Sequence, residues 1–215
     1  MGKSNISYFR YGTIAVVILL AGSIFMVYRN TLKQQDAPVL PYYGPTNSAG
    51  EPHYVKSFSL LNQDSVVLTQ APYQKKIYVA DFFFTTCLGI CPIMTEGMIR
   101  VYKAYYENPD ILILSHTVDP EHDTPSILKK YADNRDIDTK KWQFVTGDKK
   151  QIYDLARYSY LVDASVGDAG PTDFVHTENF ALVDRDGRIR GYYDGTDTAE
   201  VSKLIQDIAL LLTEK

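Results

Sequence analysis

The run Lys76 to Phe84, KIYVADFFF, is apolar at nearly every position and rich in β-branched and aromatic residues. Successive side chains of a strand point to opposite faces of a sheet, and here neither face carries a polar set. The segment therefore reads as a strand buried on both sides. Ile111 to Val118, ILILSHTV, has the same character, and Trp142 to Thr146 reads as a third, shorter strand. Helical patterns lie between them: one from near Cys91 to Glu107, one opened by Thr124 and Pro125 as cap and first helical residue, and one from Gly147-Asp148 to about Tyr160. Ahead of these, Phe58 to Leu68 is expected to form a hairpin turning at Asn62–Asp64. After them, Asn179 to Tyr193 reads as two strands joined by Asp184-Arg-Asp-Gly187, with glycine where positive φ is needed. An amphipathic helix over about Thr198–Leu212 closes the chain. Strands alternating with helices predict an α/β sheet with antiparallel strands added by the last hairpin, the order of a thioredoxin-like fold.

The N-terminus has a different character. Tyr11 to Tyr28, YGTIAVVILLAGSIFMVY, runs eighteen residues without a charge, and as a helix it would be about 27 Å long, close to the thickness of a bilayer core. Tyr8, Tyr11 and Tyr28 fall where aromatic belts lie, and Arg10 and Arg29 bracket the span. No small-x-small cleavage site ends the apolar run, which favours an anchor over a cleaved signal peptide. The expected organisation is a tail over 1–10, a transmembrane anchor over 11–28, a tether rich in Pro, Gly and Asn over 29–50, and a thioredoxin-like domain over 51–215. A formal net charge of -4 leaves no basic footprint for nucleic acid.

There are two cysteines, Cys87 and Cys91, in DFFFTTCLGICP. Two close cysteines are a metal site, a redox pair or both, rather than a disulfide scaffold. They lie where the central strand hands over to a helix, the usual position for a site in an open α/β sheet. A spacing of four is expected to put both sulfurs on one side of a helical turn, and the positive end of the helix favours thiolate. Paired thiolates suit Cu(I), and also zinc; one imidazole would complete a trigonal set. Of the four histidines, His53 and His122 read as solvated loop residues and His116 as a core or rim residue. His176 precedes the strand from Phe180, in a loop that faces the cysteine turn in a thioredoxin-like sheet, and is the best candidate ligand.

Three pieces of the chain together resemble the Sco/SenC family of copper chaperones: Thr85-Thr-Cys87-Leu-Gly-Ile-Cys91-Pro92, then Val118-Asp-Pro-Glu-His-Asp-Thr-Pro125, then His176 followed by the Asp186-Gly187 turn. The resemblance runs from about Phe58 to the C-terminus. It implies a site in which Cys87, Cys91 and His176 hold Cu(I) or Cu(II). It also implies a role in assembling the dinuclear copper centre of cytochrome c oxidase, with the oxidase's copper-bearing subunit as partner. The domain would lie on the periplasmic, extracytoplasmic side of the membrane. Leu88 stands where many members have proline, His122 where arginine is common, and Val175 where aspartate often precedes the histidine; the His176 ring then needs another acceptor, for which Asp173 and Glu178 are candidates beside their plainer reading as surface carboxylates. The main alternative is a thiol–disulfide oxidoreductase cycling Cys87 and Cys91 to reduce the oxidase cysteines. A thiol peroxidase and a structural zinc site fit less well: no arginine precedes Cys87 within the strand, and zinc calls for four ligands.

Overall fold

The computed structural model describes residues 18–29, 39–163, 167, 169–170, 173, 175 and 177–214. The chain divides into two compact units, Met1–Val39 and Leu40–Lys215. In the first, residues 18–29 are helical (α1), and large apolar side chains such as Leu19, Ile24 and Phe25 are exposed. No helix among the described residues is long and apolar enough to cross a membrane; positions 11–17 of the expected span lie outside them.

The second unit is a single seven-stranded sheet with helices on both faces. Its elements are β1 (Ser59–Asn62), β2 (Val67–Thr69), a 3-10 turn (Ala71–Tyr73), β3 (Ile77–Phe83), α2 (Ile90–Tyr105), β4 (Ile111–Thr117), α3 (Pro125–Asp133), β5 (Trp142–Thr146), α4 (Lys149–Tyr158), β6 (Asn179–Val183), β7 (Ile189–Asp194) and α5 (Thr198–Thr213). The strand order is β2-β1-β5-β4-β3-β6-β7. The strands β3, β4 and β5 are parallel, whereas β1, β2, β6 and β7 pair antiparallel. This is the mixed α/β, thioredoxin-like arrangement that the apolar runs predict.

All seven residues of β3 are buried. Ile77, Val79 and Phe83 face a core built with α2, α3 and α5, while Tyr78, Ala80 and Phe82 face α4 and the segment around Phe58 and Tyr73. Burial on both faces is what the unbroken apolar pattern requires. Along α2, Cys91, Met94, Thr95, Met98 and Val101 form the buried stripe, the spacing of one helical face. Asp148 caps α4 by accepting from the Gln151 N–H at 2.7 Å, and Gly187 takes the positive φ of 82° expected in the β6–β7 turn.

The stretch read as a tether over 29–50 joins the folded unit from Leu40 onward. Leu40 is buried, and the Tyr43 N–H donates to the Ile189 carbonyl at 2.9 Å. The buried guanidinium of Arg190 donates to the Leu40 and Pro41 carbonyls at 2.7 and 3.2 Å and pairs with Asp184 and Glu214. A long-range cation thus fixes backbone that local composition marks as loose.

Candidate metal and redox site

The site is built at the C-terminal end of β3. Helix α2 begins at Ile90, so Cys91 sits in its first turn and Cys87 in the turn ahead of it. Both sulfurs therefore do not ride on one helical surface, as the four-residue spacing had predicted. They meet because the turn folds Cys87 back toward the helix start, where each thiol shifts the other's pKa. Gly89, the N-cap, has no side chain to satisfy the first N–H groups of the helix. The N–H groups of Gly89, Ile90 and Cys91 instead face the Cys87 sulfur and favour its ionised form.

The two thiols differ in character. Partial burial works to raise the Cys87 pKa, but the Cys91 thiol and the three backbone donors outweigh it, and the net shift is downward. Cys91 lies in the apolar stripe of α2. Burial, with Cys87 beside it and the Asp81 charge nearby, pushes its pKa up to about 12 although the Phe84 N–H opposes this. Both cysteines are free thiols, one half-buried and one buried. The arrangement provides an accessible thiol that ionises more readily than its protected neighbour, and such a pair can bind a soft cation or form a disulfide.

The first two motifs meet here, beside the two residues that flank position 176. Phe84, Ile90 and Cys91 line a small cleft together with Val118, the first residue of the V-D-P-E segment, and with Val175 and Thr177. His176 itself lies outside the described residues, but both of its neighbours line the cleft that contains Cys91. Among the described residues no three His, Cys, Asp or Glu side chains cluster as a metal site; of the expected ligand set, Cys87 and Cys91 belong to those residues.

The loop leading to position 176 is held from α4. Arg157, buried, donates through both terminal nitrogens to Asp173 at 2.8 and 2.5 Å. Asp173 also accepts from the Ala169 N–H at 2.7 Å, and Lys149 donates to the Gly170 carbonyl at 3.0 Å. Asp173, expected as an acceptor for the histidine ring, thus has both oxygens engaged by Arg157. Glu178 is exposed, and its carbonyl accepts from the Gly195 N–H at 2.8 Å.

The remaining histidines take other places. His53 is half-buried, with Nε2 2.7 Å from the Ser159 carbonyl, where a solvated loop had been expected. His122 is exposed. His116 is fully buried, stacked on Phe82 with ring centroids 4.7 Å apart and edge-on to Phe58 and Tyr160. Sequence reasoning missed Asp81, Asp123 and Arg157. The available signal was a charged residue inside an otherwise apolar strand, for Asp81, and inside a quoted motif, for Asp123.

Residues 46–213 match the family described as SCO1/SenC. The SCO1 protein homolog of Bacillus subtilis (strain 168) is 33% identical over 163 residues, covering 75% of this chain and 84% of the relative. Among solved structures, BsSco is 32% identical with a TM-score of 0.64, over 75% of this chain and 95% of that one. BsSco is a member of the Sco family of cytochrome c oxidase assembly proteins in which a disulfide switch has been identified. Bradyrhizobium japonicum ScoI, solved with copper bound, is 25% identical with a TM-score of 0.57, over 72% of this chain and 98% of that one.

Proposed function

The chain belongs to the SCO1/SenC family, and from that membership we propose that it is a copper-binding assembly factor for cytochrome c oxidase, anchored to a membrane by its N-terminal helix. Cys87, Cys91 and His176 hold the copper, and the receiving partner is the copper-bearing subunit of the oxidase. The observation that carries this reading is the pair of neighbouring free thiols, with Cys91 in a cleft that is also lined by Val175 and Thr177, the neighbours of His176. Two thiolates and one imidazole form a soft, three-coordinate donor set suited to Cu(I). An edge position, with Leu88 almost wholly exposed beside Cys87, leaves the copper open to ligand exchange with a partner's cysteines.

Oxidation of the pair gates the transfer. When a disulfide-class oxidant accepts two electrons and two protons, a Cys87–Cys91 bond forms and both thiolate donors are lost. The oxidised protein is therefore expected to bind copper far more weakly than the reduced one. The anchor reading rests on the uncharged span over 11–28 and on the exposed apolar side chains of α1, which a bilayer would cover. The folded unit then lies on the extracytoplasmic side, where the chemistry of the proposed partner site requires it.

Titrating the reduced full chain, in detergent, with Cu(I) against a competing chelator tests the site. One-to-one binding, weakened in Cys87→Ser and in His176→Ala, is the expected result. Weak binding, or no effect of His176→Ala, would sink the three-ligand site. The unequal thiols favour one second reading, in which Cys87 attacks a disulfide of the oxidase subunit and Cys91 resolves the mixed disulfide. That reading predicts reduction of a model oxidase-peptide disulfide at a rate that His176→Ala leaves unchanged.

A further inference from the structure

We propose that Asp123 is a positioning residue for the cysteine turn, fixing from a separate loop the geometry in which Cys87 meets Cys91. Its side chain is completely buried. One oxygen accepts from the Thr85 hydroxyl, and the other accepts from the Thr85 N–H at 3.0 Å and from the Thr117 hydroxyl at 2.5 Å. Thr85 stands two residues before Cys87, at the point where the chain leaves β3. Thr117 is the last residue of β4, the parallel neighbour of β3. Asp123 therefore ties the start of the cysteine turn to the end of the adjacent strand.

The loop that carries Asp123 is itself held. Its N–H donates to the Asp119 carbonyl at 2.8 Å, Val118 donates to the Phe83 carbonyl at 2.8 Å, and the Tyr153 hydroxyl donates to the Val118 carbonyl at 2.9 Å. Beyond the surroundings of the Cys87 sulfur itself, few contacts fix the cysteine turn. Gly89 gives no side-chain cap, Gly89 and Leu88 are exposed, and the Cys87 N–H makes a long 3.3 Å bond to Phe84. A hydrogen-bonded loop thus grips an exposed turn at one residue, Thr85. Without that grip the two sulfurs must be ordered when they bind a cation or form a disulfide, and both processes lose preorganisation.

The inference rests on the reading of Cys87 and Cys91 as the copper-holding pair, and the test separates the two. In the full chain, Asp123→Asn and Thr85→Val are each expected to weaken Cu(I) binding about tenfold, the low end for a residue that orients a metal ligand. The double variant should be no weaker than either single one, because both changes cut the same link. Thr117→Val touches the same carboxylate without touching the turn, so it should lower the melting temperature yet hold Cu(I) affinity within about twofold. Affinity that tracks thermal stability across all three variants would reduce Asp123 to a structural role and overturn the proposal. Should Asp123→Asn not fold, Thr85→Val against Thr117→Val decides. Should the wild-type chain take no Cu(I), the copper reading fails, and the midpoint of the Cys87–Cys91 couple in glutathione buffers decides instead. A midpoint displaced by Thr85→Val but not by Thr117→Val upholds the positioning role; no displacement refutes it.

Discussion

Arg157 on α4 and Asp173, sixteen residues later, form a two-pronged ion pair at 2.8 and 2.5 Å. It crosses the base of the loop that returns to β6. The Arg157 guanidinium holds the Asp173 carboxyl down to about 2, with the Ala169 N–H helping against the effect of burial. A carboxyl depressed in the folded state adds stability that is complete above its unfolded value near 4 and is lost as pH falls toward 2. The clamp is therefore closed at every pH the protein meets in a cell.

Asp173→Asn keeps the shape and removes the charge. The expected outcome is faster hydrogen exchange at the Val175 and Thr177 amides with little change in the β3 and β4 amides. Exchange that rises equally across the sheet would show the clamp to be a general stabiliser instead of a loop holder.

The N–H groups at the start of α2 and the Cys91 thiol hold the Cys87 thiol below its ordinary pKa, whereas burial pushes Cys91 up, so the two thiols should alkylate in sequence. At neutral pH, iodoacetamide should label Cys87 first, with Cys91 protected by burial. Cys91→Ala removes the neighbouring donor, and Cys87 labelling at a fixed pH is then expected to slow. Peptide mass spectrometry over time reads both outcomes. Equal labelling of the two cysteines would contradict the asymmetry.

Much of the architecture could be read from local pattern. The strand β3 announces itself because neither of its faces has a polar set, and the Asp184–Gly187 turn because only glycine accepts φ of 82° without strain. What escaped was set by distant partners. Pro38, Pro41 and Gly44 describe a tether, but Arg190, 150 residues beyond Leu40, takes its carbonyl. Asp123 stands within a motif that was recognised, yet nothing local says that its carboxylate reaches Thr85, 38 residues earlier. The cysteine pair was legible as chemistry. Its geometry was not, because a glycine N-cap starts α2 only at Ile90 and leaves Cys87 in a turn.

Two buried titratable groups on neighbouring strands give opposite pH dependences. His116 is pushed down to about 4, mainly by burial, although its Nδ1 lies 3.3 Å from the Asp81 carbonyl. The folded state then binds fewer protons than the unfolded one, so this residue's contribution is full above about pH 6.5 and falls by roughly 3 kcal/mol as pH drops to 4. Burial raises the Asp81 carboxyl to about 7 against the Ser115 hydroxyl bonded to it at 2.5 Å. Its contribution is full below about 4 and is lost as pH rises toward 7. His116→Phe should flatten the acid limb of a stability–pH curve between 6.5 and 4. Asp81→Asn should stabilise at pH 8 and lose that advantage at pH 4. Urea unfolding across this range checks both signs.

Gly97 marks where α2 approaches the loop after β7 most closely. A Cβ at this position would lie 2.6 Å from the Gly195 carbonyl oxygen and 3.2 Å from a Val201 methyl. Neither neighbour can easily give way: the Gly195 contact is backbone, its N–H is bonded to the Glu178 carbonyl at 2.8 Å, and Val201 is a core residue on the buried face of α5. Gly97→Ala would normally gain up to about 1 kcal/mol from helix propensity, but overpacking of this kind costs about 1–3 kcal/mol, so net destabilisation is expected. The strain has a direction, because pushing Gly195 pulls on Glu178, which follows the cleft residue Thr177. Gly97→Ala should therefore lower the melting temperature and also weaken Cu(I) binding, whereas a cavity variant on the opposite sheet face, Ile152→Val, should lower the melting temperature alone. Calorimetry paired with Cu(I) competition distinguishes the two, and equal copper affinity in both variants would show that the contact between Gly97 and Gly195 does not reach the site.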